Sequence, residues 1–498
     1  MNVVFYNEQV ESLGIEYLSA VLKQAGHRTS LVYRPALFAN YRLNIPGMER
    51  LIGGTLKDTI NRIIRRKPDM VAFTVNISNL HNISRLVPLV KQRINVPIVL
   101  GGPMVTSTPQ FFLDHGIGDF LVIGEGEEAM LELVTALETG KDPSGIANLW
   151  FNDHGRIVRN PARPFLEDLD TLPFPDRGLY HQENAVFGII MATRGCPFSC
   201  KYCVSGTVLK HSAPNFRHYY RLRDPLKVVE EAGIALNQYG VRRFHFMDDI
   251  FPVKRSWLET FSQAWKRQVA RPFDIYMSPT LMDSDLVKIL AEAGCKHVNI
   301  GLQSAVPRIY RGLMGRRFNL DNLIRLASDL HKEGVSVSIE NIVGIPTETR
   351  DEMISSLEWS IKNLSDAFIT YYRYIPLPGT PMAALAAKTA GVEGEWLKQF
   401  MARNINYKGV STFQHPDSDL VDNILFLEDS VRFIPEQLRN KVLQNLTPVE
   451  KIAMKPIVFT NSLLSSNLNW LPSYMQFYGR QLSRLARDRI LEKLGIPV

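Results

Sequence analysis

The sequence predicts an α/β fold in three parts: a doubly wound (Rossmann-like) N-terminal domain, a (βα)6 partial TIM barrel, and a mainly helical C-terminal region. Short apolar runs alternate with amphipathic helical segments in residues 1–140 and 187–390, a pattern typical of parallel sheets. A proline-rich segment without periodicity, residues 141–186, separates the two regions and is predicted to be a linker. The alternation does not extend into the C-terminal region, residues 391–498.

The first region holds five apolar runs of strand length, connected by helical segments. The strands are predicted at residues 2–6, 29–33, 69–75, 97–102 and 119–126. A doubly wound domain binds ligands outside the carboxyl ends of its strands, where this sequence has loops at 74–79, 101–109 and 124–128. Glycines in these loops allow a ligand to approach the backbone closely, although a tight turn alone explains any single loop.

The second region predicts six strands, at residues 187–193, 242–248, 273–279, 296–304, 335–346 and 367–376. Barrel active sites lie at the carboxyl ends of the strands, and a cysteine-rich loop follows the first strand. Near the end of the chain, one helical face is predicted to carry Leu482, Leu485, Ile490 and Leu494. This pattern favours a docked terminal helix, with an interfacial membrane helix as the alternative.

The composition sets limits on function. No apolar run reaches the roughly 18 residues of a membrane-spanning helix, and the N-terminus lacks a basic region ahead of an apolar core, so we expect a cytoplasmic protein. The formal net charge of +7 is spread along the chain, and we expect no nucleic-acid partner. Three of the four cysteines share one loop, which is a poor disulfide framework and favours a metal or redox site.

Cys196, Cys200 and Cys203 lie close enough in sequence for their thiolates to face a single centre. Cys295 lies at a helix-to-strand junction on the opposite end of its βα unit and is expected to be a buried structural thiol. Three thiolates suit zinc or an iron–sulfur cluster, and their softness does not distinguish the two. Structural zinc needs a fourth protein ligand, and the loop contains no histidine. An incomplete ligand shell implies that another molecule binds the last metal position.

The stretch CPFSCKYC resembles the signature of radical S-adenosylmethionine (SAM) enzymes, and its place after the first barrel strand fits that family. The resemblance implies a [4Fe–4S] cluster on the three cysteines, with its fourth iron bound by the amino and carboxylate groups of SAM. The stretches FMDDIF, GLQS and SIENIVGIP match family positions that contact SAM, although a surface turn also explains the first. The residues implied in SAM binding are Tyr202, Asp248, Asp249, Gln303, Ser304 and Glu340.

A doubly wound domain with ESLGIEYLSAVLKQAGH, PIVLGGP and VIGEGEE before such a barrel resembles the cobalamin-dependent class of this family. The resemblance implies a corrinoid that lies against the strand-end loops and faces the barrel. The Asp-x-His-x-x-Gly motif of many corrinoid proteins is absent, which implies no histidine beneath cobalt and leaves open that the domain has lost its cofactor. Residues 1–195 contain no cysteine, which excludes the methylthiotransferase class. The implied cobalamin-binding residues are Ser12, Thr74, Asn76, Ser78, Gly101, Gly102, Pro103, Gly124, Glu125, Gly126 and Glu127.

The resemblance implies a methyltransferase for an unactivated carbon: a 5′-deoxyadenosyl radical abstracts a substrate hydrogen, and methylcobalamin methylates the carbon. Two alternatives stay open, a cobalamin-dependent radical SAM cyclase or ring-rearranging enzyme without methyl transfer, and a non-catalytic corrinoid-binding protein. The implied partners are an external one-electron reductant of flavodoxin or ferredoxin type and a small-molecule or lipid-like substrate. Membrane-surface contact through the C-terminal helix is a further expectation.

Overall fold

The computed structural model describes residues 1–8, 11–34, 39–40, 43–44, 55–183, 186–280, 283–390 and 411–446. Within these ranges the chain forms two largely parallel sheets covered by helices, which confirms the α/β prediction. The described helices include none that is both long and apolar enough to cross a bilayer. The predicted terminal helix with Leu482, Leu485, Ile490 and Leu494 lies outside the described residues.

The N-terminal sheet contains all five strands predicted in residues 1–140. Its parallel strands are β1 (Asn2–Glu8), β2 (Arg28–Arg34), β3 (Met70–Thr74), β4 (Ile98–Gly101) and β5 (Phe120–Val122). They lie in the order β2-β1-β3-β4-β5, and their apolar runs are buried because helices cover both faces. A separate two-stranded hairpin pairs Ala39–Asn40 with Leu43–Asn44.

The helices of this domain divide between the two faces of the sheet. Helices α1 (Leu13–Gln24) and α6 (Glu127–Thr139) pack on one face. The other face is covered by α2 (Leu56–Arg65), α3 (Leu80–Lys91), α4 (Pro103–Ser107) and α5 (Pro109–Asp114). This arrangement confirms the doubly wound prediction.

Residues 141–186, predicted to be a linker, instead contribute elements to the N-terminal sheet. Strand β6 (Leu149–Asp153) joins β5 in antiparallel orientation, and β7 (Arg156–Arg159) pairs with β6 in a hairpin. Phe151 and Val158 are buried, so alternating residues of the hairpin complete the core. The turn ends on Gly155, whose φ is 93°, and this is a hairpin signal that the proline content of the segment obscures.

The second domain contains the six predicted strands. They are β8 (Ile189–Ile190), β9 (Phe244–Phe246), β10 (Phe273–Met277), β11 (Cys295–Gln303), β12 (Ser336–Val343) and β13 (Phe368–Arg373). All are parallel and hydrogen-bonded in chain order. Among the described residues β8 and β13 are not paired with each other, so the barrel is partial.

Helices follow the barrel strands and cover their outer face. They are α9 (Pro225–Tyr239), α10 (Arg255–Gln268), α11 (Ser284–Ala293), α12 (Leu320–Lys332) and α13 (Arg350–Asn363). Thr55 begins α2 and Thr349 begins α13, each through a reciprocal capping box that satisfies free backbone N–H groups. Beyond the last strand, the described residues form helices α14 (Pro381–Ala390), α15 (Ser418–Leu427) and α16 (Glu436–Asn445).

A buried cluster of charges around Arg177 joins the two domains. Arg177 directly precedes the short helix α7 (Gly178–Gln182), and its side chain is 1% exposed. Its guanidinium donates to Glu11 Oε1 at 3.0 Å, on the N-terminal domain, and to Glu231 Oε1 at 2.7 Å, on α9 of the second domain. Because separating such a pair would leave a buried charge uncompensated, this cluster fixes the domains relative to each other.

Candidate active site

The cysteine loop begins where the chain leaves β8, at the carboxyl end of the second sheet. Gly195 enters the loop with a φ of 82°, and a Cβ at this position would lie 2.2 Å from the carbonyl oxygen of Tyr219. Only glycine therefore fits there. The loop ends at the short helix α8 (Val204–Thr207), where Gly206 lets the loop backbone pack tightly against the helix. These two glycines fix the path of the chain around the cysteines.

Cys196, Cys200 and Cys203 line a cavity of about 380 Å³. Burial raises the pKa of Cys196 to about 12 and also raises the pKa of Cys203, and the charge of Asp249 adds to both shifts. Bare thiolates are therefore unfavourable here, and a metal cluster would supply the positive charge that stabilises them. Among the described residues, no three side chains of His, Cys, Asp or Glu lie close enough together to bind one metal ion. The fit to a cluster rests on the shared cavity and on three soft donors.

Cys295 lies away from this loop. It is the first residue of β11, at the opposite end of the strand from the cavity, and it is fully buried. Its sulfur lies 3.5 Å from the carbonyl oxygen of His297. The prediction of a buried structural thiol is confirmed.

Tyr202, Asp249, Gln303 and Glu340, which were expected to contact SAM, line the same cavity as the cysteines. Gln303 follows a register shift in β11, and its φ of 72° places it in the left-handed region. Such a bulge turns a side chain away from the direction that regular strand alternation gives. Asp249 accepts a hydrogen bond from Ser205 Oγ on α8, and burial raises the pKa of this carboxyl.

Arg316 lines the cavity as well and was not singled out from the sequence. Its guanidinium donates to Tyr202 Oη at 2.9 Å and to the carbonyl oxygen of Gly301 at 2.5 Å. Its buried Nε has no hydrogen-bond partner among the described residues. The feature of the sequence that could have indicated Arg316 is the basic pair at 316–317, because the stretch around it has no acidic residue to neutralise the charge.

Asp248 and Ser304 are the two expected SAM ligands that do not line the cavity. Asp248 Oδ1 accepts from the backbone nitrogen of Ala192 at 2.9 Å and from the nitrogen and hydroxyl of Thr193 at 2.5 and 2.6 Å. It therefore anchors the backbone just before the cysteine loop. Ser304 Oγ accepts from the nitrogen of Val306 at 3.2 Å and so stabilises a local turn.

A second cavity, of about 390 Å³, opens between the two domains. Nine of the residues expected to bind cobalamin line it: Ser12, Thr74, Gly101, Gly102, Pro103, Gly124, Glu125, Gly126 and Glu127. Asn76 and Ser78 do not, because Asn76 Oδ1 accepts from the nitrogen and hydroxyl of Ser78 at 3.0 and 2.7 Å in the turn that precedes α3. The sequence did not indicate the residues on the opposite wall: Phe165, Met191, Arg194, Gly195, Leu209, Ser212, Tyr219 and Arg221.

The floor of this cavity is bare backbone. Gly102 has a φ of 101°, and a Cβ there would lie 2.8 Å from the carbonyl oxygen of Val75. Phe5, Val99 and Val122 add apolar surface beside it. A glycine-lined, apolar floor suits the close approach of a large flat group, so the residues present fit a corrinoid. No histidine is among the described residues that line the cavity.

Glu125 and Glu127 join the domains instead of standing free in the cavity. Glu125 accepts from Arg221 at 2.8 and 3.0 Å and from Arg194 at 3.2 Å, and Glu127 accepts from Arg194 at 2.6 Å. Burial opposes the ionisation of Glu125, but the bonds and charges of the two arginines outweigh it and hold the pKa of this carboxyl below its usual value. Both arginines belong to the barrel domain, so this loop ties the two walls of the cavity together.

The start of the cysteine loop contributes to both cavities. Gly195 lines the cavity between the domains, and Cys196, the next residue, lines the cysteine cavity. Consecutive residues therefore belong to the walls of the two cavities.

Comparison with known proteins identifies both domains. The Radical SAM superfamily matches residues 190–360, and the B12 binding domain matches residues 3–134. An uncharacterised methyltransferase of Pyrococcus horikoshii is 29% identical over 347 residues, which cover 66% of this chain and 73% of that protein. The anaerobic magnesium-protoporphyrin IX monomethyl ester cyclase of Rubrivivax gelatinosus is 28% identical over 335 residues, 64% of this chain and 58% of the cyclase.

Among solved structures, the radical SAM methyltransferase TsrM of Kitasatospora setae, with cobalamin and a [4Fe–4S] cluster bound, superimposes with a TM-score of 0.64. It is 19% identical, and the match covers 78% of each chain, so it shows a shared fold. The two matched domains confirm the cofactors that the sequence implied, a [4Fe–4S] cluster, SAM and cobalamin. The chain is therefore a radical SAM enzyme of the class that carries a B12-binding domain before its radical SAM domain.

Proposed function

We propose that this enzyme is a cobalamin-dependent radical SAM methyltransferase that methylates a carbon of a small-molecule substrate. The observation that carries the proposal is that consecutive residues, Gly195 and Cys196, line the cavity that suits a corrinoid and the cysteine cavity. When bound, the cluster and SAM supply hydrogen abstraction, and cobalamin supplies the methyl group. The protein orients these groups and the substrate and excludes water.

In this proposal Cys196, Cys200 and Cys203 hold the cluster. The rest of the cavity beside them is the SAM site, which is supported by the polar residues that line it: Tyr202, Asp249, Gln303, Arg316 and Glu340. Desolvation raises the pKa of Cys196, Cys203 and Asp249, so a positively charged occupant would stabilise the ionised form of these groups. Arg316 holds Tyr202 and the bulge at Gly301 in place through two hydrogen bonds.

The cobalamin site in this proposal is the cavity between the domains. Gly101, Gly102, Gly124 and Gly126 form its floor and permit close approach. The roles of Glu125 and Glu127 are to hold Arg194 and Arg221, and so to close the barrel domain over the bound group. The position of the cavity between two domains supports the exclusion of water from the reacting carbon once a corrinoid fills it.

We further propose that the enzyme works in the cytoplasm with an external one-electron reductant. All four cysteines are free thiols, and this supports a reducing compartment, where disulfides do not form. An external reductant is needed because a [4Fe–4S] cluster on these cysteines must gain one electron before it can cleave SAM.

A cyclase or rearranging enzyme is the second candidate, and the 28% identity to the Rubrivivax cyclase favours it. Product analysis separates the two functions. The enzyme, reconstituted anaerobically with iron, sulfide and cobalamin, is incubated with SAM and candidate substrates and analysed by mass spectrometry. A methyltransferase forms S-adenosylhomocysteine, 5′-deoxyadenosine and a product heavier by one methylene. If the substrate is consumed with 5′-deoxyadenosine as the only SAM product besides methionine, the methyltransferase proposal fails.

A further inference from the structure

The surface around the cysteine loop has a one-sided charge. The sequence has no aspartate or glutamate between Glu183 and Asp224, nor between Glu292 and Asp321. These two stretches meet in the fold, because the backbone nitrogen of Lys201 donates to the carbonyl oxygen of Met314 at 2.9 Å. These two segments contribute only positive charge to the edge of the cavity that holds the cysteines, and the carboxyl groups that line this cavity, Asp249 and Glu340, come from other parts of the barrel.

Three cations of these segments flank the loop. Lys210 Nζ lies 3.2 Å from Ser199 Oγ, between the first two cysteines. On the other side, Lys201 Nζ lies 3.4 Å from the carbonyl oxygen of Gly312, the residue after Arg311. We call Lys201, Lys210 and Arg311 the cation rim.

The described part of the chain does not neutralise the cation rim. None of its three side chains forms an ion pair with a carboxylate among the described residues, whereas the neighbouring Arg308 binds Glu352 at 2.6 Å. Lys266, an exposed cation on α10, is likewise paired, with Glu292 at 3.3 Å. The positive charge of the cation rim is therefore available to a partner.

The cysteine loop itself reaches the surface. Pro197, Ser199 and Lys201 are exposed, and the three cysteines are half-buried. Phe216 is 39% exposed, and its ring centre lies 5.1 Å from that of His211, the residue after Lys210. An exposed aromatic ring is typical of protein interfaces, where aromatic residues are enriched relative to the rest of the surface.

We propose that the cation rim docks an acidic protein that carries one low-potential electron. This inference rests on the proposed function, because a cluster on this loop needs an electron from outside the chain. The carrier loses one electron and the cluster gains one, and no bond or proton is transferred. Opposite charges steer such a carrier onto the loop and raise its association rate, and added salt screens that attraction.

The test uses a purified acidic flavodoxin in its fully reduced form and the anaerobically reconstituted enzyme. The affinity of the flavodoxin for the enzyme and the rate at which it reduces the cluster are measured at low and high salt. Both are measured for wild type and for the variant Lys210→Glu/Arg311→Glu. The association rate should fall about tenfold or more in the variant, and most of the salt dependence should disappear. Lys210→Gln/Arg311→Gln should lower the association rate by a smaller factor, because these substitutions remove the positive charge without reversing it.

The matched control is Lys227→Glu/Lys266→Glu, which makes the same charge change on α9 and α10 and should behave as wild type. Reduction by dithionite, a small molecule that needs no docking surface, should proceed to the same extent in every protein. Equal flavodoxin rates in the cation-rim and control variants would overturn this inference alone. A cation-rim variant that loses affinity only for a single-stranded oligonucleotide would also overturn it. If wild type forms no dithionite-reducible cluster, the proposed function itself fails.

Discussion

The four cysteines differ in what surrounds each thiol. Cys196, Cys200 and Cys203 share a cavity wall, whereas Cys295 is buried at the far end of β11. Replacing any one of the first three with alanine should remove the cluster absorbance and reduce 5′-deoxyadenosine formation to background. Cys295→Ala should retain both, at the expense of about 1 kcal/mol of folding stability. Iron content and product chromatography of the four purified variants check this, and a cluster lost only in Cys295→Ala would contradict the assignment.

Asp248→Asn should preserve the fold and remove a pH dependence of stability. All three donors, from Ala192 and Thr193, meet Oδ1, while the buried Oδ2 has no partner, so an amide keeps the accepting oxygen. Burial raises the pKa of Asp248 from 3.8 to about 7, although the hydrogen bonds oppose this shift. The folded state thus holds the proton more tightly than the unfolded state. The stabilisation is complete below the unfolded pKa and is lost as pH rises through the folded one.

Urea unfolding between about pH 5 and about pH 8 measures this effect. Wild type should lose stability on the order of 2 kcal/mol more than Asp248→Asn over this range. Asp248→Ala should be less stable than both at every pH, because three donors lose their acceptor. Parallel pH curves for wild type and Asp248→Asn would show that this carboxyl does not titrate in the window.

At the scale of single residues, the sequence predicted that Cys196, Cys200 and Cys203 share one loop, because their spacing alone requires it. It did not separate Asp248 from Asp249, since adjacent residues at a strand end point in different directions and only the fold decides which faces the cavity. Arg316 was missed for a related reason. Its bond to Gly301 depends on a strand bulge that leaves no mark in the hydrophobic pattern.

At the scale of elements, the turn after β4 is the most constrained part of the cavity between the domains. Gly102→Ala should lower the free energy of unfolding by about 1–3 kcal/mol, because the new Cβ would lie 2.8 Å from the carbonyl oxygen of Val75 in left-handed backbone. It should also lower the amount of cobalamin retained per protein. Gly145→Ala, where nothing lies within 4 Å, should change stability by about 0.5 kcal/mol at most. Equal effects in the two variants would show that the turn is not strained.

The loop before α6 should matter for docking of the domains. Glu125→Gln weakens two arginine contacts and should lower the free energy of unfolding by about 2 kcal/mol and reduce cobalamin affinity. Glu128→Gln is the matched control, because Glu128 is 63% exposed and its ion pair among the described residues is with the partly exposed Arg163. Chemical unfolding and cobalamin titration of both variants check the prediction. A Glu128→Gln effect as large as that of Glu125→Gln would contradict it.

The strands were predictable because apolar runs of β length alternate with helical periodicity in both domains. The hairpin of β6 and β7 was not, because frequent prolines in residues 141–186 outweighed a short alternating pattern. The evidence for it in the sequence was the glycine turn at Gly155 between Phe151 and Val158, both of which the structure buries. The opposite wall of the cobalamin cavity was also unpredictable, since it is formed by Arg194 and Arg221 from a different domain.

At the scale of the whole molecule, the order of domains predicted the family, and the contacts between domains explain how they work together. Arg177 fixes the domains at one point through Glu11 and Glu231, and Arg194 fixes them beside the cavities through Glu125 and Glu127. The two cavities are consequently held next to each other by charges that sequence patterns do not reveal. This arrangement is the physical basis for proposing that the two cofactors act on one substrate.

The central claim, methyl transfer by a radical SAM enzyme, is tested most directly with SAM that carries a deuterated methyl group. The anaerobically reconstituted enzyme is incubated with this SAM and a reductant, with and without cobalamin, and the products are quantified by mass spectrometry. The proposal of methyl transfer predicts 5′-deoxyadenosine in both samples, and S-adenosylhomocysteine together with a deuterated methyl group on the acceptor only where cobalamin is present, because cobalamin must accept the methyl group. Formation of 5′-deoxyadenosine with no S-adenosylhomocysteine in either sample would contradict it.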